Sequence, residues 1–122
     1  MRKKFLRATR KAARKGIHPT SFHGATIVRG NQVLLIGHNK GSKTHPKLPY
    51  PVGQHAEFDV LRQAQSRRID VRGANLIVMR VDKDGRAMLS RPCQACAKAI
   101  FHAGIKRVFF TDADGLFLSY KV

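Results

Sequence analysis

The sequence predicts one α/β domain: a three-layer α/β/α arrangement on a five-stranded mixed sheet whose last strand runs antiparallel. Three observations carry this. Apolar, β-branched runs alternate with segments of helical periodicity from about residue 24 onward. Strand–helix–strand units need crossover connections, which make parallel neighbours and place helices on the sheet faces. The last two strands are joined only by "DADG", too short for a crossover, so they must form an antiparallel pair. A chain of 122 residues suits a single domain, read here as 1–122, with a modest core.

The elements follow in order. Residues 2–15 read as a basic helix, with Phe5, Ala8 and Ala12 at helical spacing and Gly16 and Pro19 as the stop. "GATIVRG" (24–30) and "QVLLIGHN" (32–39) are strands, and Gly30-Asn31 between them is a hairpin signal. "KGSKTHPKLPYPVGQ" (40–54) holds three prolines and no periodicity, and is a loop long enough to suggest function. Residues 55–68 read as a helix with Ala56, Val60, Leu61 and Ala64 on one side. "ANLIVMRV" (74–81) is a buried strand and "DKDGRA" (82–87) a turn. Cys93 to His102 reads as a helix stopped at Gly104. "KRVFFT" (106–111) and "LFLSYKV" (116–122) are the closing strands.

Charge is the strongest compositional signal. Lys and Arg number 24 against 7 Asp and Glu, a net of +17. No acid precedes Glu57, whereas twelve basic residues do. Such a field attracts phosphates and polyanions. Arg7, Arg10, Lys11 and Arg14 lie off the apolar stripe of the first helix and are the candidate nucleic-acid contacts; the alternative is a solvated face. No run approaches the roughly 20 apolar residues of a membrane span. The start "MRKKFLRATRKAARKG" has no apolar h-region, so a cytoplasmic, reducing compartment is expected.

The chemistry centres on "SRPCQACAKAI". Cys93 and Cys96 are the only cysteines, and a disulfide between them would close a loop too small to stabilise much. At a helix start, the amide groups and dipole should make both thiols ionise readily. Two thiolates at this spacing make half of a tetrahedral zinc site, and histidine must supply the rest. Six are available: His18, His23, His38, His45, His55 and His102. His55 stands out because Glu57 follows two residues on, at a second helix start, where one side chain can bind metal and the other handle a proton.

His55-Ala56-Glu57 with Pro92-Cys93-Gln94-Ala95-Cys96 resembles the signature of the zinc-dependent cytidine and deoxycytidylate deaminase superfamily. The resemblance covers most of residues 22–122, including "GATIVRGNQVLLIGHN" and "GIKRVFFTDADG". It implies a hydrolytic deaminase with one Zn²⁺ per chain and a bound water. His55, Cys93 and Cys96 would be its ligands and Glu57 the proton shuttle. It also implies substrate contacts at Asn39, beside Gly37 at the hairpin end, and at Ala56. Tyr50, in the long loop near His55, could stack on a base or simply pack. The antiparallel last strand is similar to that of the small cytidine deaminases.

The resemblance implies a cytosine-containing substrate, with adenine as the alternative base. The charge makes cytosine within single-stranded DNA or RNA the first reading, since phosphate neutralisation supplies much of nucleic-acid affinity. A compact chain without aromatic-rich stacking loops favours free cytidine, deoxycytidine or deoxycytidylate instead. The third reading is a basic nucleic-acid-binding module with a structural zinc. No membrane partner is expected, and a homo-oligomer is compatible with every reading.

Overall fold

The computed structural model describes residues 2–15, 22–39 and 55–122. Its elements are α1 (Lys3–Arg14), β1 (Phe22–Arg29), β2 (Gln32–His38), α2 (Ala56–Ser66), β3 (Asn75–Val81), β4 (Ala87–Met88), α3 (Gln94–His102), β5 (Arg107–Thr111) and β6 (Phe117–Lys121). The sheet order is β2-β1-β3-β5-β6, with β4 as a two-residue addition to β3. β3 and β5 are parallel, and every other pairing is antiparallel.

Two local expectations need correction. The unit β2–α2–β3 does make parallel strands, but they are not neighbours: β1 lies between them and pairs with both. β2 is the edge strand, and the crossover passes over β1 to place β3 on its other side. The segment 82–87 is a turn only up to Arg86, because Ala87 begins β4 opposite Val81. Its geometry repeats in the β5–β6 connection. Asp82 Oδ1 accepts from the amides of Asp84 and Arg86, both at 2.9 Å. Asp112 Oδ1 accepts from those of Asp114 and Leu116, also at 2.9 Å. In both turns the third residue after the aspartate, Gly85 or Gly115, has a positive φ that glycine adopts without strain.

Alternation along the strands divides the core. Leu76 and Val78 of β3 face α2 and α3, with Ala25, Ile27, Val60, Cys96, Ile100 and Val108. Ile77, Met79 and Val81 face α1, meeting Phe5 or Ala13. The period of two sends successive residues to opposite faces, and both faces are covered, so β3 is apolar throughout its centre. The result is the three-layer α/β/α fold, with α1 on one side of the sheet and α2 and α3 on the other. α1 approaches so closely that a Cβ on Gly24 would lie 2.4 Å from the Thr9 carbonyl oxygen. Among the described residues no helix is long and apolar enough to cross a membrane.

Candidate metal centre and active site

α2 and α3 share one sheet face, and both begin beyond the carboxyl ends of the parallel strands β2 and β3. That is where open α/β sheets place ligands. His55 is the N-cap of α2 and Cys93 the N-cap of α3, each with extended backbone before the first turn. Cys96 lies one turn into α3 and is fully buried. Its amide donates to Cys93 Sγ at 3.5 Å, which turns the Cys93 side chain back over the helix start.

This packing brings three donor atoms together. His55 Nδ1 lies 3.2 Å from Cys96 Sγ and 3.6 Å from Cys93 Sγ. All three ligand atoms fall within 4.8 Å of one another, and neither cysteine is in a disulfide. A tetrahedral zinc with ordinary bond lengths separates its nitrogen and sulfur ligands by about 3.5 Å. The observed spacings bracket that value, so the residues fit the metal. Burial explains why they require one. The Cys96 thiol is pushed far up in pKa, first by burial and then by the nearby Glu57 carboxylate and Cys93. This corrects the expectation that both thiols ionise readily, since for Cys96 desolvation outweighs the helix terminus. A bound cation would reverse that balance.

Glu57 occupies the first turn of α2, 3% exposed. Burial raises its pKa; its own amide, His55 and Cys96 pull the other way. Its Oε1 is buried and has no hydrogen-bond partner among the described residues. A buried acceptor left open costs free energy unless it serves something that comes and goes. Position, burial and the open oxygen fit a carboxylate that exchanges a proton with a water at the metal centre.

The other singled-out residues divide. Asn39 is buried, accepts from the His23 amide through Oδ1 at 2.9 Å and donates its own amide to the His23 carbonyl at 3.1 Å. It therefore closes the β1–β2 end. Ala56 is fully buried in the core under α2. Tyr50, His18 and His45 lie outside the described residues. His38 has its ring Nδ1 3.2 Å from the Asn39 carbonyl, and His102 is exposed at the end of α3 against Phe101. Arg7, Arg10, Lys11 and Arg14 belong to α1, on the sheet face opposite the metal centre; Arg10 is spent on the Gly85 carbonyl at 2.8 Å.

Three contributors were not legible as site residues. Asp59 is 2% exposed, and its Oδ2 accepts from the His38 amide and from Gln63 Nε2, both at 3.2 Å. It ties α2 to the end of β2, and Gly37 allows the approach: a Cβ there would lie 2.8 Å from the same oxygen. An acid in the first turn of the helix was the available signal. Arg91 and Tyr120 had none, because β6 meets the α3 entrance only in three dimensions. The Arg91 guanidinium carbon lies 5.6 Å from the ring centroids of both Phe110 and Tyr120.

The family model of the cytidine and deoxycytidylate deaminase zinc-binding region matches residues 1–112. The chain belongs to this deaminase family. Within it, His55, Cys93 and Cys96 are arranged so that they could hold one metal ion. A deoxycytidylate deaminase of Pongo abelii is 31% identical over an alignment of 114 residues, which covers 81% of this chain and 57% of that protein. The chain therefore spans little more than half the length of that relative. The fold matches a cytidine deaminase from Burkholderia pseudomallei with a TM-score of 0.72, at 22% identity, covering 99% of this chain and 93% of the other. It matches the apo dCMP deaminase of cyanophage S-TIM5 at 0.64, also 22% identical, covering 95% and 90%.

Proposed function

We propose that this deaminase hydrolyses the exocyclic amine of cytosine in a free nucleoside or nucleotide, converting the base to uracil and releasing ammonia. The observation that carries the reading is the buried Glu57 carboxyl with its open Oε1, beside a His-Cys-Cys donor set of three. A purely structural metal would leave that buried carboxyl without a task.

Zinc held by His55, Cys93 and Cys96 would supply Lewis acidity, making a water nucleophilic near neutral pH. Glu57 would accept a proton from the water that adds to C4 and deliver it to ring N3. It would then carry the proton of the new C4 hydroxyl to the amine, which leaves as ammonia, so cytosine and water balance uracil and ammonia. A carboxyl whose pKa is raised by burial is suited to both halves of this exchange. Asn39 and the α2 start at Ala56 are carried over as substrate contacts, and Tyr50 as a candidate stacking residue. Thiolate ligands accord with a cytoplasmic, reducing compartment.

The names of the relatives favour a free substrate. One is a deoxycytidylate deaminase, and the cyanophage enzyme has been crystallised with dCMP and dUMP. Cytosine within single-stranded DNA or RNA has only the charge behind it, and the most concentrated charge lies on α1, across the sheet from the metal centre. The test is turnover by zinc-loaded protein of deoxycytidine, deoxycytidylate, adenosine and a cytosine oligonucleotide, read as ammonia release. Free cytosine substrates should react. Turnover of the oligonucleotide or adenosine alone, or of none, refutes the reading.

A further inference from the structure

We infer that Arg91 is a phosphate clamp at the mouth of the metal centre, and that the substrate is a nucleoside monophosphate held by its terminal phosphate. The inference rests on the reading above and deepens it, because base chemistry alone does not separate a nucleoside from its monophosphate.

Arg91 is placed by the chain and by two rings. Arg91, Pro92 and Cys93 are consecutive, so the Cα of Arg91 lies within about 7 Å of that of the metal-binding Cys93. Its side chain turns onto β5 and β6, where Phe110 and Tyr120 sit with centroids 5.9 Å apart and planes tilted by 56°. The guanidinium carbon is 5.6 Å from each centroid. Tyr120 also packs against the core cluster that contains Cys96.

The chemistry of this arrangement is specific. Contact with aromatic rings engages the face of a guanidinium and leaves its N–H edge available. All seven acids of the chain lie among the described residues, and none forms an ion pair with Arg91. No carbonyl among the described residues accepts from it either. Arg91 is exposed, two residues before the metal-binding Cys93. A fork already held in place loses little further freedom when it binds, and it matches two phosphate oxygens at once. Cytosine and its sugar carry no anion. The only group on a cytosine substrate that calls for this fork is phosphate. The same chemistry could come from a terminal monoester or from the diester backbone of a polynucleotide. One clamp among the described residues, beside the metal-binding loop, fits the terminal monoester.

The experiment compares zinc-loaded parent, Arg91→Ala and Arg91→Lys on deoxycytidine, dCMP and a short cytosine oligonucleotide. The parent should prefer dCMP over deoxycytidine in kcat/KM. Arg91→Ala should collapse that preference by about 30-fold, mostly through KM, the scale of a lost charge-assisted pair. Arg91→Lys should restore part of it, since lysine keeps the charge but not the fork. Calorimetry with dUMP and deoxyuridine provides a readout without turnover: Arg91→Ala should weaken dUMP by a similar factor relative to deoxyuridine. A parent with no preference for dCMP, or a variant that loses both substrates equally, overturns the clamp while leaving the deaminase reading intact. If only the oligonucleotide responds to Arg91, the terminal monoester is wrong. If no cytosine compound turns over, the deaminase reading fails, and dUMP binding still decides for or against Arg91.

Discussion

Ser90 stands three residues before Cys93 and is the joint between the sheet and the metal-binding loop. It is 3% exposed. Its hydroxyl donates to the Val78 carbonyl at 3.0 Å and accepts from the Thr111 amide at 2.8 Å. Its amide donates to the Thr111 carbonyl at 2.9 Å. The Thr111 hydroxyl, 2.8 Å from Ser90 Oγ, also reaches the Met88 carbonyl. Ser90→Ala strips the buried Thr111 amide of its acceptor and the Val78 carbonyl of one donor. An unsatisfied buried donor costs about 1–3 kcal/mol, so the variant should lose about 2–3 kcal/mol of stability. The loosened loop should also weaken zinc binding about tenfold, the lower end of what supporting residues around a metal site contribute. Urea unfolding of zinc-saturated protein measures the first effect, and competition with a chromophoric chelator the second. Thr9→Val is the control. It removes a buried hydroxyl bonded to the Phe5 carbonyl at 2.8 Å and to Thr26 at 2.9 Å, on the opposite sheet face. It should cost stability but leave zinc affinity unchanged. A loss below about 0.5 kcal/mol for Ser90→Ala, or an equal fall in zinc affinity for Thr9→Val, refutes the reasoning.

Glu57→Gln should keep the fold and the zinc content but reduce turnover by about 10²–10⁴-fold or more, as for loss of a general acid–base group; activity within tenfold of the parent would show that another group moves the proton. Gly37→Ala pushes a methyl group to 2.8 Å from Asp59 Oδ2, so α2 must move away from β2. It should lower thermal stability and kcat/KM together, and unchanged melting would mean the approach is looser than it stands. Reversing charge at Arg7, Arg10 and Arg14 should leave turnover of a free cytosine substrate within about twofold, because charges across the sheet are screened over roughly 10 Å at moderate salt; a large fall would place α1 in the substrate's path. Stripping the metal with chelator should abolish turnover, and one equivalent of zinc per chain should restore it.

The sequence by itself determined the layers and the donor set. Period-two apolar runs against period-3.6 segments are local signals, and the shortness of "DADG" excludes a parallel closing pair by chain geometry alone. His55, Glu57, Cys93 and Cys96 were legible because their spacing within two short segments is itself the chemical requirement. What lay between distant segments was decided only in three dimensions. β3 enters the sheet beside β1, not beside β2, a choice between the two outer edges of the hairpin that no local signal makes. The state of the Cys96 thiol follows from burial under two helices, which no run of residues states. The basic helix α1 reads from sequence as a partner for whatever the site binds. The tertiary structure places it behind the sheet, because its apolar stripe of Phe5, Ala12 and Ala13 must cover the face that α2 and α3 leave open. Arg91 meets Phe110 and Tyr120 for a similar reason: an antiparallel last strand returns beside β5 and carries Tyr120 to the helix start that bears the cysteines.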